Sequence, residues 1–270
     1  MLSTAAPTIP TAPMFPHAAV ASPPRSNCEI LAIKNLTVSF DGFKAVDNLS
    51  MTIAEKELRV IIGPNGAGKT TLLDMICGKT KPSSGSILFR DIELTQLPEF
   101  KIVRRGVGRK FQTPSIYEDL TVAENLEISL PEAHGIWASI SFRRTAHVRE
   151  LIDNMALQIM LQDQLKTKSG KLSHGQKQWL EIGMLLIQGP ELLLLDEPVA
   201  GMSPREREQT AELLQKIAKG KSLVVIEHDM DFVKSIANIV TVLHRGQLLA
   251  EGTVEEVQND PRVIDVYLGH

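Results

Sequence analysis

Short apolar runs alternate with amphipathic stretches along most of this chain. From Ile30 onward, Leu36, Val38 and Phe40 alternate with polar residues, as in a half-buried strand. Further strand-like runs lie at 58–62, 86–89, 192–195, 222–226 and 239–243. Helical stretches separate several of these runs, and such alternation favours a largely parallel sheet covered by helices. The pattern therefore predicts an α/β fold.

Capping boxes of the form S/T-x-x-E/Q mark three predicted helix starts. They are Thr121 with Glu124, Ser173 with Gln176, and Ser203 with Glu206. Pro204 follows the last of these N-caps at the position where proline is favoured. Residues from about 113 to 185 carry almost no strand pattern, which predicts a mainly helical insertion within the α/β domain.

The first 28 residues differ from the rest of the chain. They hold six prolines, many small residues and little that could bury a core. Repeated prolines exclude a regular helix, so a disordered extension at 1–28 and a folded domain at 29–270 are predicted. A transit peptide, or a true start at Met14, are the alternatives for this segment.

Bulk composition restricts the possible functions. The 270 residues suffice for one α/β domain with an insertion, and the net charge of −3 provides no basic field for nucleic acid. Cys28 and Cys77 show neither metal-ligand spacing nor a disulfide framework. No apolar run approaches the roughly 18 residues of a membrane span, so attachment to a membrane would need a partner.

The most informative motif is a phosphate-binding loop of the form G-x-x-x-x-G-K-[ST]. It lies between the apolar run 58–62 and a helical stretch, the context that the motif requires. Its backbone N–H groups and the helix N-terminus would surround phosphate oxygens. Lys69 would bind the β- and γ-phosphates, and the Thr70 hydroxyl would bind Mg²⁺. The predicted nucleotide-binding residues are Gly63, Pro64, Asn65, Gly66, Ala67, Gly68, Lys69, Thr70 and Thr71.

Two carboxylates end the apolar run Leu192–Leu195. In a phosphate-loop protein, an acid at the end of a neighbouring strand holds Mg²⁺, and Asp196 fits that role. Glu197, one residue further on, could polarise the attacking water as general base. The alternative is that both acids simply open a loop.

A third motif is Leu172-Ser173-His174-Gly175-Gln176. Ser173 would cap a helix whose N-terminus can face an anion, and Gly175 would allow close approach. In this order, the phosphate loop, this pentapeptide and the Asp196-Glu197 strand end resemble the ATP-binding subunits of ABC transporters. The pentapeptide is similar to their signature motif, with His174 where glycine is usual, and the resemblance covers about residues 30–270.

The resemblance implies a P-loop NTPase fold with a mostly parallel core sheet, an antiparallel β subdomain and an inserted helical subdomain. It also assigns single residues. Gln112, after Phe111, resembles the Q-loop glutamine that reaches Mg²⁺ and the attacking water. His228 resembles the switch histidine that contacts the γ-phosphate and orients the water with Glu197. Phe40 resembles the aromatic residue that stacks on adenine, although a core position on its strand is nearly as well supported.

In the family, Ser173, Gly175 and Gln176 would contact the γ-phosphate held by the partner subunit's phosphate loop. The segment 199–204 occupies the D-loop, with Ser203 where an aspartate often stands. The segments 121–126, 200–202 and 260–269 resemble the branched-chain amino acid and amide importers, and the stretches 74–80 and 106–120 are similar to the urea type within that branch.

ATP and Mg²⁺ are therefore the implied cofactors. The implied partners are two integral membrane permease subunits, a second ATP-binding subunit, identical or paralogous, and indirectly a periplasmic substrate-binding protein. The chain would lie peripherally at the cytoplasmic face of the inner membrane. Tyr117, Glu118 and Asp119 are candidates for permease docking, against the alternative of a solvated acidic loop.

Other functions remain open at this point. The chain could drive a branched-chain amino acid importer or a lipid exporter instead of a urea importer. A soluble regulator of nucleic-acid processes would favour a basic face or a second ATP domain, neither of which the sequence offers. A nucleotide kinase would leave the pentapeptide 172–176 unexplained.

Overall fold

The computed structural model describes residues 29–110, 115–131 and 145–268, with side chains described to residue 266. The expectations for residues 1–28 and for Gln112 therefore lie outside the described residues. The strands are β1 (Glu29–Phe40), β2 (Phe43–Ala54), β3 (Leu58–Ile62), β4 (Ser84–Phe89), β5 (Ile92–Glu93), β6 (Val107–Lys110), β7 (Leu192–Asp196), β8 (Ser222–Ile226), β9 (Ile239–His244) and β10 (Gln247–Gly252).

The described helices connect and cover these strands. They are α1 (Lys69–Ile76), α2 (Glu99–Arg104), α3 (Val122–Ile128), α4 (Ala146–Gln158), α5 (His174–Leu186), α6 (Pro204–Ala218), α7 (Met230–Ile236), α8 (Val254–Gln258) and α9 (Pro261–Leu268). Two short 3₁₀ turns lie before α5, at Gln162–Gln164 and Ser169–Lys171.

The strands form two sheets. The larger has the order β10-β9-β3-β8-β7-β6 and is parallel except for the β9–β10 hairpin. The smaller has the order β2-β1-β4-β5 and is antiparallel throughout. The α/β prediction, with a mostly parallel core and an antiparallel β unit, is confirmed.

Alternate residues of the central strands pack into two different apolar cores. Because both faces of these strands are covered, their sequences are hydrophobic almost without interruption. Leu58, Val60 and Ile62 of β3 pack into the core shared with α3 to α7. Ile61 belongs to the other core, between the large sheet, the small sheet and α1. Because both faces of β3 are covered, every one of its residues is buried.

Strand β6 does not read as a strand in the sequence because half of its residues are charged. Arg109 and Lys110 are nevertheless buried. The Arg109 Nη1 atom lies 2.5 Å from Asp74 Oδ1, and the Lys110 Nζ atom lies 3.4 Å from Glu181 Oε2. Buried ion partners thus permit a polar edge strand that hydrophobic patterning cannot detect. Strands β2, β5 and β10 were also absent from the sequence prediction.

The predicted capping boxes all form, with reciprocal side-chain and backbone hydrogen bonds at the starts of α3, α5 and α6. The described residues between β6 and β7 form helices α3, α4 and α5, with one isolated β-bridge between Thr121 and Lys168. The boundaries of a separate helical subdomain at 113–185 stay a prediction. Within 29–110, 115–131 and 145–268, no helix combines the length and hydrophobicity that crossing a membrane requires.

Candidate nucleotide site

The candidate site lies where three parallel strands end side by side. Ile226 of β8 pairs with Ile61 of β3 and with Asp196 of β7. The phosphate loop after β3, Glu197 after β7 and His228 after β8 therefore leave the same edge of the sheet. This carboxyl edge is where ligands of parallel α/β sheets bind.

The phosphate loop is held against the small sheet at Gly68, the residue that precedes α1. Gly68 has φ +97°, a left-handed conformation that glycine adopts without cost. A Cβ built there would lie 2.3 Å from the carbonyl oxygen of Ala45. Both the dihedral angle and the close backbone neighbour require glycine at this position. Helix α1 then begins at Lys69 with its free N–H groups toward the loop.

Lys69 curls back over the loop that precedes it. Its Nζ atom donates hydrogen bonds to the carbonyl oxygens of Gly63, at 2.7 Å, and Pro64, at 3.0 Å. Burial lowers the pKa of Lys69, and the carboxylates of Glu197 and Asp196 partly offset that effect. The ammonium group is thus held at the loop and interacts electrostatically with the two acids at the end of β7, as expected of a phosphate ligand.

Asp196 has the features of a Mg²⁺ ligand. The residue is 2% exposed, and its buried Oδ1 atom accepts no hydrogen bond from any residue in the described ranges. Burial raises the pKa of Asp196, and a hydrogen bond with the Thr70 hydroxyl only partly offsets this. A buried carboxylate oxygen beside a hydroxyl is a donor set that suits a hard divalent cation. The residues present therefore fit Mg²⁺.

Glu197 and His228 face each other above the strand ends. The His228 Nδ1 atom lies 3.5 Å from Glu197 Oε1, and both side chains reach solvent. Glu197 has φ +47°, an uncommon conformation for a residue with a side chain, and its amide donates to the Ile226 carbonyl at 3.0 Å. Strain of this kind persists where the surrounding structure imposes it, and often at functional positions.

The start of α5 forms a second anion-binding geometry. The Ser173 Oγ atom accepts a hydrogen bond from the Gln176 amide and donates one of 2.9 Å to Glu206 Oε1. A Cβ at Gly175 would lie 2.5 Å from the same Glu206 oxygen. Among the described residues, Ser173 makes no hydrogen bond to the phosphate loop. The structure therefore groups Lys69, Asp196, Glu197 and His228, while Ser173, Gly175 and Gln176 form a separate cluster.

His174 connects α5 to the turn before α6. Its Nε2 atom lies 3.1 Å from the carbonyl oxygen of Ala200, and its ring packs near Gly201. The histidine that replaces the usual glycine thus contacts the D-loop of the same chain. The D-loop residue Ser203 donates to Glu206 Oε2 at 2.8 Å, so Glu206 receives hydrogen bonds from the N-cap residues of both α5 and α6.

Phe40 ends β1 at the tip of a hairpin, where it pairs with Phe43. The two residues are 49% and 63% exposed. A core position for Phe40 is therefore wrong, because the residue is exposed at the tip of the hairpin. Its stacking on adenine stays a prediction, and Gln112 lies outside the described residues.

Sequence reasoning missed Glu227, a fully buried acid next to His228. Its Oε1 atom accepts from the Val199 amide at 3.3 Å, and its Oε2 atom accepts from the His228 amide at 3.2 Å. The available signal was the same as for Asp196, namely an acid directly after an apolar strand. Glu206 was recognised only as a capping residue, because its contact with Ser173 crosses 33 positions of sequence.

Two family models match the chain. The model described as ABC transporter matches residues 46–200. The model described as branched-chain amino acid ATP-binding cassette transporter matches residues 247–270. The first match includes the phosphate loop, the signature pentapeptide and the end of β7, and the second covers β10 and the C-terminal helices.

Similar proteins agree along nearly their whole length. The high-affinity branched-chain amino acid transport ATP-binding protein LivG of Salmonella typhimurium is 36% identical over 89% of this chain and 98% of its own. The corresponding protein BraF of Pseudomonas aeruginosa is 35% identical over the same shares. A crystal structure of an ATP-binding cassette of an ABC transporter, in its ADP conformation, is 30% identical with a TM-score of 0.79. That match covers 90% of this chain and all of the other.

Proposed function

The chain belongs to the ATP-binding subunits of ABC importers, of the branched-chain amino acid type, and we propose that it drives the uptake of branched-chain amino acids. The observation that supports this cargo assignment is the family match at residues 247–270, which lie outside the motifs that all such ATPases need. The relatives LivG and BraF, named for the same cargo, support it. The resemblance of 106–120 to urea importers finds no support among these relatives.

We assign ATP binding to the phosphate loop and to the strand ends beside it. Residues 63–71 would surround the β- and γ-phosphates, with Lys69 between them and the two acids that end β7. Asp196 and Thr70 would hold Mg²⁺, which when bound neutralises charge that develops on the phosphates. Gln112 is assigned to the same metal and water by resemblance, and Phe40 to adenine.

Hydrolysis would depend on Glu197 and His228. Glu197 is one residue beyond the metal ligand and one-third exposed, so its carboxylate can accept a proton from water near the γ-phosphate. His228 can orient that water and contact the phosphate, because its ring lies beside the same carboxylate. This assignment gives each group of the cluster one role.

The Ser173 cluster would act on ATP bound by a second ATP-binding subunit. Among the described residues, Ser173 donates its proton to Glu206 and not to the phosphate loop, so a nucleotide held by a partner could take the place of Glu206. Two ATPases paired head to tail would then close around ATP and separate after hydrolysis, a population shift between two states. We propose that the assembly contains two permease subunits and receives its cargo from a periplasmic binding protein.

Residues 117–119 are our candidate for permease docking at the cytoplasmic membrane face. Tyr117 is 58% exposed, and its backbone is fixed by two hydrogen bonds with the buried Asn125 side chain. Glu118 forms a 2.6 Å ion pair with Lys177 on α5, which connects this loop to the signature helix. A rigid loop with one exposed aromatic ring suits a protein interface.

Substitution of Glu197 by Gln tests the catalytic assignment. We expect binding of a fluorescent ATP analogue to stay within twofold of wild type, while MgATP hydrolysis falls at least a hundredfold, because the amide cannot accept the proton. Glu208→Gln, an exposed acid on α6, is the matched control and should retain wild-type turnover. Hydrolysis by Glu197→Gln at the wild-type rate would refute the assignment of the base.

Uptake measurements test the cargo. In cells that lack the gene for this chain, uptake of radiolabelled leucine should fall and return when wild type, but not Glu197→Gln, is supplied. Urea uptake should be unchanged in all these cells. Loss of urea uptake with normal leucine uptake would restore the urea assignment and leave the ATPase mechanism intact.

A further inference from the structure

Glu227 is a buried acid that the reaction as described does not use. It lies directly after β8, between Ile226 and His228, and is 1% exposed. Its backbone amide donates to the carbonyl oxygen of Ile61, at the end of the phosphate-loop strand, at 3.3 Å. The residue therefore lies where the connections from β3, β7 and β8 meet.

Each oxygen of its carboxylate accepts from a different loop. Oε1 accepts from the Val199 amide at 3.3 Å, two residues after Glu197 in the turn that leads to the D-loop. Oε2 accepts from the His228 amide at 3.2 Å. The same turn is closed by the Ala200 amide, which donates to the Glu197 carbonyl at 3.3 Å. One side chain thus joins the backbone beyond Glu197 to the backbone of His228.

A carboxylate is costly at such a position. Burial raises the pKa of Glu227, and the surrounding backbone amides offset this only in part. The His228 Nδ1 atom lies 4.0 Å from Glu227 Oε2, farther away than the two backbone amides that donate hydrogen bonds to this carboxylate. An apolar residue would avoid this desolvation but could not accept hydrogen bonds from two loops.

We propose that Glu227 is a positioning residue that fixes Glu197 and His228 relative to each other for ATP hydrolysis. This inference rests on the proposed roles of those two residues. Glu227 itself cannot reach water near the phosphate, because its side chain is enclosed between the loops. Among the described residues, its carboxylate oxygens accept no hydrogen bond from the phosphate loop, so its loss should alter turnover and spare nucleotide affinity.

The test compares wild type, Glu227→Gln and Glu227→Ala in the full-length chain. We expect kcat for MgATP to fall about a hundredfold in Glu227→Ala, since displacement of reacting groups by about 1 Å has effects of that size. Glu227→Gln retains one oxygen that accepts a hydrogen bond, but its amide N–H group would face the backbone N–H of the other loop. About a tenfold fall in kcat is therefore expected. The dissociation constant of a fluorescent ATP analogue should change less than twofold in both.

Glu251→Gln is the matched control for loss of a structural carboxylate. Glu251 pairs with the buried Arg59 and with Thr241 near the opposite edge of the large sheet. This variant should lower the melting temperature without lowering kcat. Glu227→Gln should show the reverse, a lower kcat without a lower melting temperature, because it removes a buried charge.

The outcomes separate the two claims. If Glu197→Gln abolishes hydrolysis and Glu227→Gln keeps kcat within twofold of wild type, the positioning role is wrong and the proposed function stands. A fall in nucleotide affinity as large as the fall in kcat also overturns it, because the whole site would then depend on Glu227. Wild-type hydrolysis that survives Glu197→Gln contradicts the proposed function and the positioning role together.

Discussion

The phosphate loop and the start of α5 are two anion-binding geometries that are built in different ways. Each places a glycine near a helix N-terminus. At Gly68 the neighbour of a hypothetical Cβ is a main-chain carbonyl of the small sheet, at 2.3 Å. At Gly175 the neighbour is the end of the Glu206 side chain, at 2.5 Å. Main chain within a sheet cannot move away, whereas a glutamate can change rotamer.

The hydrogen bonds of the two regions differ in the same sense. The Lys69 ammonium binds carbonyl oxygens of its own loop, and it has three protons to share. The Ser173 hydroxyl has one proton, and that proton is donated to Glu206. The phosphate loop is therefore preformed by the fold, while Ser173 must exchange Glu206 for a phosphate before it can bind one. This difference is expected if the phosphate loop holds ATP in one subunit and Ser173 contacts the ATP of the partner only when the two subunits close.

The largest effect is predicted for a substitution in the phosphate loop, the region that the fold preforms. Gly68→Ala should lower the free energy of unfolding by about 3 kcal/mol or more, because the methyl group meets the Ala45 carbonyl and the backbone is left-handed. Denaturant titration measures this effect. Gly66→Ala is the control, since Gly66 has φ +78° but no described atom within 4 Å of the added Cβ. It should cost about 1 kcal/mol, and equal costs for the two variants would contradict the role of the backbone contact.

An intermediate effect is predicted for substitution of Asp196, the buried acid that ends β7. Asp196→Asn without nucleotide should raise the free energy of unfolding at pH 7 by about 1 kcal/mol, while MgATP hydrolysis is lost. Burial raises the folded-state pKa of Asp196, so the folded state binds this proton more tightly than the unfolded state. The destabilisation of the folded chain by the ionised Asp196 carboxylate is absent below about pH 4, which is the pKa of an unfolded aspartate. It grows as the pH rises from there toward and through the folded-state pKa.

Thermal melting measured at several pH values tests whether the stability difference between Asp196→Asn and wild type changes with pH in this direction. The stability advantage of Asp196→Asn should be largest at pH 7 and should shrink as the pH falls toward 4. An advantage that grew on acidification would show that the ionised carboxylate is stabilised in the folded chain, and the account of burial would fail.

The smallest predicted effect concerns the adjustable region. Gly175→Ala should lower the free energy of unfolding by less than about 1 kcal/mol, because Glu206 can move its carboxylate away from the methyl group. Denaturant titration beside Gly68→Ala makes the comparison direct. A loss as large as that of Gly68→Ala would show that Glu206 is as immobile as the main chain, and the contrast between the two regions would disappear.

Local chemistry explains which features the sequence predicts. Capping boxes join residues three positions apart, so the chain's own spacing identifies Thr121, Ser173 and Ser203 as N-caps. The phosphate loop is one continuous segment, and its glycines and Lys69 are visible for the same reason. The burial of the two charged residues of β6 was not predictable in this way. Arg109 and Lys110 lie buried in this strand, where they form ion pairs with Asp74 and Glu181, which are distant in sequence.

The sequence by itself determined the fold class, the family resemblance, the phosphate loop and the acids that end β7, because motif spacing and strand periodicity are local properties. Only the tertiary structure decided that Phe40 is exposed, that Ser173 donates to Glu206 and that Glu227 joins two loops. Each of those facts depends on contacts between segments far apart in the chain. Such contacts are fixed by the packing of two sheets and their helices, which no local pattern specifies.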